Sequence, residues 1–429
     1  MKTRSRAVAG VAGCLVAAAL VASGCGSSGS SSNAPGVTKT SVLIGSHQPL
    51  TGPAAPGYSE IAPAAKAFFQ YLNAQGGVNG RKINLIYKDD GYNPTKTVTV
   101  VKQLVLQNKV FAIWGGLGTP THTKVVGFLN SSRVPDLFVS SGCPCWDNGS
   151  KQPYTFGWQP NYTIEGKILG QYIKQNFAGK KVGVFYQDDD FGQGGLAGLK
   201  QQLGSQIVSA QPYQPTVTNV APQITAIQKS GAQVLVDFTI PAFTALERLT
   251  SFKLGYKPQL VVSNVGIDPT TVGGLLKAFS KGKANTALIE GAITDAYLPS
   301  PTDTSNGWIQ LFKKIHDKYD AKAPFDGNVE YGMASAYTFA QALKNAGKSL
   351  TRQDLVDAVE KGGFTGPGLV PFRYSKTEHG GFGGGAIAQI KNGQIVVTGK
   401  PLVTDPGTGP ITPSTMKPAN PGDNGIVKP

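Results

Sequence analysis

From residue 40 onward, short apolar runs alternate with stretches of helical period, and no other feature constrains the fold as tightly. Runs at 41–45, 82–87, 110–114 and 135–139 have strand length, and residues 60–75, 93–107 and 120–130 between them have helical period. After an irregular stretch at 143–161 the pattern restarts with a helix over 162–176. Strands at 181–186, 207–211, 234–238 and 259–263 follow, separated by helices over 192–203, 220–229 and 242–254. Strands spaced by helices of about ten to fifteen residues pair in parallel through helical crossovers, so the reading is α/β with mainly parallel sheets flanked by helices. Two runs of similar size, 40–140 and 162–290, imply two lobes. Such sheets take ligands at the carboxyl ends of their strands, and clefts between lobes are common small-molecule sites.

Punctuation supports the pattern. Asn93-Pro94 offers a cap and a proline for a helix start. Residues 306–319, 330–345 and 351–361 read as helices, the last with Thr351 and Asp354 placed as a cap with a nearby acid. Residues 387–390 and 394–397 flank Lys391-Asn392-Gly393, a β-hairpin whose Asn-Gly turn accepts positive φ. Residues 401–429 are rich in Pro, Gly and Thr without period and are expected to form a poorly ordered tail.

The first 25 residues read as a targeting segment. Lys2, Arg4 and Arg6 precede an apolar stretch at 7–22, and small residues lead to Cys25. A cysteine there resembles the lipidation point of bacterial lipoproteins; an ordinary secretory signal is the alternative. Cys14 also fits locally, but cleavage there would leave an apolar stretch at the lower limit of length. Residues 26–37 form a flexible Gly/Ser tether, placing the body outside the cytoplasm on a lipid anchor at Cys25.

The full chain carries a formal charge of +15, and removing the leader leaves it positive. No basic run with interleaved aromatic residues occurs, so nucleic acid is not the expected partner; an anionic membrane surface suits the charge better. With only 4 Cys and 4 His, neither a dense disulfide scaffold nor a His-rich metal site is expected. Cys143 and Cys145 remain after the leader and Cys25 are set aside. An oxidising exterior favours a bond between them, although a Cys-Pro-Cys ring is tight. No G-x-S-x-G, P-loop or H-E-x-x-H occurs, and His47, His122, His316 and His379 stand apart in sequence, with a capping or surface role expected for His122. Gly192-x-Gly194-x-x-Ala197 follows three acids that would repel a pyrophosphate. No enzyme, metal or cofactor is expected.

Residues 46–66 (SHQPLTGPAAPGYSEIAPAAK), 73–80 (NAQGGVNG) and 88–94 (KDDGYNP) resemble the first lobe of type I periplasmic binding proteins. The similar branch is the leucine/isoleucine/valine- and amide-binding group that feeds ABC importers. Residues 115–121 (GGLGTPT), 134–142 (VPDLFVSSG), 157–162 (GWQPNY) and 186–194 (YQDDDFGQG) resemble its later landmarks. The resemblance, covering about 38–400, implies a monomeric Venus-flytrap. Residues 38–158 and 295–367 would form lobe 1, 159–294 and 368–400 lobe 2, with 401–429 as tail. Its partners would be a small-molecule solute and the permease subunits of the importer. A ligand-sensing protein of the same fold, without a transport role, is the alternative.

The resemblance also points to site residues. Gly118, Thr119 and Thr121 open a helix after a strand, where N–H groups and hydroxyls suit a carboxylate or other polar oxygen; helix capping is the plainer role. Ser140, Ser141 and Gly142 form the adjacent loop. Tyr58 would line the pocket or pack beside it, and Trp158 and Tyr162 bracket the first crossing, stacking on a ligand or packing the hinge. Phe191 is expected to face the cleft; within 188–190, Asp190 is the candidate for a ligand amine, and capping of the next helix is the other role open to these acids. Phe238 and Phe243 flank a later loop. Asn264 stands where amino-acid-binding relatives often place an acid. Its neutrality puts a branched-chain amino acid in doubt, because burying an unpaired ammonium is costly, and a neutral amide or an aromatic or aliphatic carboxylate fits at least as well.

Overall fold

A computed structural model describes residues 34–428. The targeting segment, Cys25 and most of the tether lie outside those residues.

The first sheet is β1 (Ser41–Gln48), β2 (Lys82–Asp89), β3 (Ala112–Trp114), β4 (Asp136–Val139) and β5 (Thr155–Gly157), in the order β2-β1-β3-β4-β5. All its pairings are parallel, and β1 runs in register with β2 from Ser41–Lys82 to Gln48–Asp89. In the second sheet β6 (Val182–Gln187), β7 (Ile207–Tyr213), β8 (Val234–Phe238), β9 (Gln259–Val262) and β10 (Ile293–Ala296) take the order β7-β6-β8-β9-β10. The two halves therefore share one topology, with the strand order reversing around the first strand of each. That reversal opens a crevice at the carboxyl ends of the strands. Every residue of β3 and of β8 is buried, as expected of parallel strands covered on both faces.

The chain passes from the first sheet to the second after β5 and returns after β10. Helices Gly307–Tyr319, Gly327–Asn345 and Arg352–Glu360 then cover the first sheet, before β11 (Gly384–Lys391) adds antiparallel to β10. Helix Gly327–Asn345 crosses helix Ile61–Ala74 so closely that a Cβ on Gly332 would lie 2.3 Å from the Ile61 carbonyl oxygen. β12 (Gln394–Val397) folds back on β11 through Asn392 and Gly393, at φ 53° and 70°, as the Asn-Gly pair predicts. Asn93 caps its helix by accepting from the N–H groups of Thr95 and Lys96, and Thr351 and Asp354 form a reciprocal capping box.

Three expectations need correction. Residues 120–130 form two short helices, Thr119–His122 and Val126–Ser131, not one. The irregular stretch contains β5, whose three residues are too few to show a period. The tail is not loose. Its strands β13 (Leu402–Val403) and β14 (Thr412–Pro413) extend the edge beyond β11. The Lys167 ammonium, 1% exposed, is held by Thr404 Oγ1 and the carbonyls of Asp405, Gly407 and Gly409 at 2.8–3.0 Å. Further on, the tail reaches the helices over the first sheet. The Trp308 indole donates to the Ala419 carbonyl at 2.7 Å, Asn424 donates to the Tyr337 hydroxyl at 2.6 Å, and Val427 is buried. Proline removes regular period but leaves carbonyls, and these find buried donors on both lobes.

The Gly-rich stretch after the three acids serves helix packing. A Cβ on Gly166, in helix Tyr162–Asn176, would lie 2.2 Å from the Gly195 carbonyl oxygen of helix Asp190–Leu203.

Candidate functional site

A cavity of about 140 Å³ lies where the strand ends of the two sheets face each other, a volume suited to a small organic molecule. The first lobe brings Tyr58, Tyr92, Gly118, Thr119 and Ser140 to it; the second brings Tyr162, Phe191, Asn264, Asp268 and Asp295.

The Gly118 loop follows β3. Gly118 has φ 103°, and a Cβ there would meet the Tyr92 ring at 2.5 Å, so glycine is required for both conformation and space. Its N–H donates to the Ser140 carbonyl at 3.2 Å, linking the two loops. Thr119 Oγ1 and Ser141 Oγ share a hydrogen bond of 2.6 Å, with the Tyr162 hydroxyl at 3.4 Å from Ser141 Oγ. Thr119 and Ser140 line the cavity; Ser141 and Gly142 stand behind them, with Gly142 accepting from the Tyr162 N–H. Thr121 is turned away, donating to the Leu117 and Gly118 carbonyls at 2.6 and 3.0 Å, and no side chain caps helix Thr119–His122. Cys143 and Cys145 follow with their sulfurs joined, and the Trp146 indole donates to the Ser141 carbonyl.

A fully buried chain of polar side chains underlies these loops. Asp90 meets His47 at 2.8 Å, His47 meets His122 at 3.0 Å, and His122 meets Asp136 at 2.7 Å. The chain ties His122, the last residue of helix Thr119–His122, to His47 on β1 and Asp136 on β4. His122 is therefore neither a surface residue nor a cap. Forty-three and seventy-five positions of separation hid the cluster from sequence reading.

On the second lobe Phe191 lines the cavity, its ring 4.5 Å from that of Tyr162. Phe238 sits behind Phe191 at 6.1 Å, and Phe243 stacks on Tyr213 at 4.1 Å; neither reaches the cavity wall. Trp158 is buried in the hinge, donating to Thr338 Oγ1 at 3.0 Å and packing on Tyr331 and Phe382. Asp189 is the cap of helix Asp190–Leu203, while Asp190 is exposed beside Cys145 and away from the cavity. Asn264 does line it, but its amide is engaged by Glu165 Oε1 at 2.9 Å and Asp295 Oδ2 at 3.0 Å. Burial and the neighbouring Asp295 push the Glu165 carboxyl well up.

The lobes meet over the cavity. Tyr58 Oη donates to the Val265 carbonyl at 2.6 Å, Gln187 donates to the Tyr92 hydroxyl at 3.2 Å, and the Gly327 N–H donates to Asp268 at 3.1 Å. Sequence reading missed three carboxyls in the wall, those of Asp268, Asp295 and Glu330, and the rings of Tyr92, Tyr297 and Tyr331. The acids stand at helix starts and strand ends, where a carboxylate reads as a cap or a solvated end. Glu330, the one acid of helix Gly327–Asn345, was the available signal.

Two α/β lobes with one strand order, three crossings and a shared cavity define a two-lobed binding protein. A family model described as periplasmic binding protein matches residues 41–394. The chain belongs to that family, whose members bind solutes and do not turn them over. It is 24% identical to the Leu/Ile/Val-binding protein homolog 1 of Brucella suis biovar 1, over 75% of this chain and 83% of that one. It is 28% identical to an amino acid binding protein of Pseudomonas aeruginosa, where the match covers 45% of this chain and about half, 52%, of the relative. Among solved structures it is similar to a branched-chain amino acid ABC transporter protein of Thermus thermophilus with bound valine, at TM-score 0.75 and 19% identity, covering 86% of this chain and 98% of that one. A fatty acid ABC transporter substrate-binding protein of Thermomonospora curvata matches at TM-score 0.71 and 23% identity, over 87% and 95%. At such identities these structures share the fold with this chain. Among the described residues no helix is long and apolar enough to cross a membrane.

Proposed function

We propose that this protein is the extracytoplasmic solute-binding component of an ABC importer, held to the membrane by a lipid on Cys25. It takes a small polar or amphipathic solute between its lobes, and closure of the lobes presents the complex to the permease. The observation that carries the reading is the cavity, walled from both sheets and crossed at its mouth by hydrogen bonds such as Tyr58 to Val265. Contacts shared between lobes make closure and ligand capture one event, because a solute touching both walls stabilises the closed arrangement by its differential affinity. Similar proteins are named for amino acids, Leu/Ile/Val and fatty acids, and the proposed solutes are branched-chain amino acids, amides, and aliphatic or aromatic carboxylates. Hydroxyls of Thr119 and Ser140 offer hydrogen bonds to a polar oxygen, while Phe191, Leu117 and Ile240 provide an apolar wall.

A thermal-shift screen of these solute classes tests the reading. Binding raises stability by mass action, about 2.7 kcal/mol at a hundredfold excess over Kd. At least one class should raise the melting temperature by several degrees; a flat response throughout would contradict the proposal.

A further inference from the structure

Resting on that reading of the cleft, we propose that the solute carries a positively charged nitrogen, an amine or quaternary ammonium, and that Glu330 of the first lobe is its anchor. Glu330 is 1% exposed, lies in the first turn of helix Gly327–Asn345 and forms part of the cavity wall. Its Oε1 is buried without a hydrogen-bond partner. A buried acceptor left unpaired costs free energy, so a group supplied from outside the chain is the natural partner.

The rest of the wall narrows the chemistry. It holds three carboxyls and, among the described residues, no lysine, arginine or histidine. Two of those carboxyls are already engaged. Asp268 accepts from the N–H groups of Thr271 at 2.8 Å and Gly327 at 3.1 Å. Asp295 accepts from the Asn264 amide at 3.0 Å. Glu330 alone of the three has an oxygen free for a solute. Asp268 and Asp326 stand near it, and Glu60 completes the group with a second unpaired buried oxygen, Oε2. Burial opposes the charged form of all four acids, and one cation placed here would offset that cost. An anion with no counter-charge would add to it. The rings of Tyr58, Tyr92, Tyr162, Tyr297 and Tyr331 also line the space, and aromatic faces attract a desolvated cation. The anchor comes from a helix of the first lobe, so the neutrality of Asn264 in the second does not exclude an ammonium. An acidic head group alone, as in a fatty acid, meets the wrong wall.

Burial and the nearby Asp268 and Asp326 hold the Glu330 carboxyl well above the ordinary range. Taking up an ammonium therefore expels a proton, which neutral and anionic solutes do not do.

The experiment is isothermal titration of the soluble body, residues 26–429, in phosphate and in Tris. The probes are L-leucine, L-leucinamide, choline, 4-methylpentanoate and 4-methylpentanamide. Amine-bearing or quaternary probes should bind with a buffer-dependent heat that reports proton release, and the two deaminated probes should bind at least about tenfold more weakly. Glu330→Gln should fold as the parent does, abolish the buffer dependence and weaken the cationic probes by about tenfold to a hundredfold. Equal or tighter binding of the deaminated probes to the parent chain would overturn the inference while leaving the solute-binding reading intact, and so would unchanged affinity of Glu330→Gln for the amines. No binding by any probe would count against both.

Discussion

The two acidic groups of the cleft differ in how far the chain satisfies them. On the second lobe Glu165 and Asp295 enclose the Asn264 amide, with both Asn264 donors paired. Glu330, Asp268, Asp326 and Glu60 collect on the other side, where Glu330 and Glu60 keep unpaired buried oxygens. In the first group both Asn264 donors are held and Glu165 Oε2 stays unpaired behind the cavity wall, outside the residues that line it. The second keeps two unpaired oxygens, of which that of Glu330 belongs to a residue of the cavity wall and has a solute as its proposed partner. A satisfied buried network rigidifies a site, whereas an unsatisfied one is tolerated where binding completes it.

The difference is sharpened most by removing partners from a satisfied charge. Ending the chain after Lys400 takes away the oxygens around Lys167 and the strap over Trp308 and Val427. Chemical denaturation should show a loss of about 3–5 kcal/mol. A loss below the error of the measurement would mean that the tail does not hold the lobes. Asp295→Ala comes next: it strands Asn264 and Glu165 and should cost about 1–3 kcal/mol, against no loss or a gain for Glu330→Gln. Equal costs for the two would erase the contrast.

pH gives a separate test. Burial, with Asp268 and Glu60 alongside, raises the Asp326 carboxyl from 3.8 to about 8. A carboxyl with a raised folded pKa binds its proton more tightly in the fold than in the unfolded chain. Its contribution thus favours folding at low pH and fades as pH rises from 3.8 toward 8. The melting temperature of the parent should decline across that window, and Asp326→Asn should flatten the slope. A steeper slope in the variant would contradict the assignment.

The lobes and their parallel strands were legible because long apolar runs and helical periods are local signals. The short strands β5 and β10 carry too few residues for a period, and the tail's order depends on donors more than one hundred positions away, such as Trp308 for Ala419. The loops of the site were legible for the same local reason: Thr119, Ser140 and Phe191 follow strands whose ends could be read. Thr121, Ser141, Asp190, Phe238 and Phe243 share those loops but point elsewhere, and sequence period does not resolve direction inside a loop. Glu330 was hidden because an acid in a first helical turn has a sufficient local explanation in the helix dipole. Only its burial and its unpaired oxygen separate it from a cap.

Spin labels at Lys66 and Lys277, exposed residues on helices of opposite lobes, give the most direct test. With the solute that produces the largest thermal shift bound, the distance between them should collapse to one short, narrow distribution, and its removal should lengthen and broaden that distribution. The same distribution with and without a bound solute would show that capture does not close the lobes.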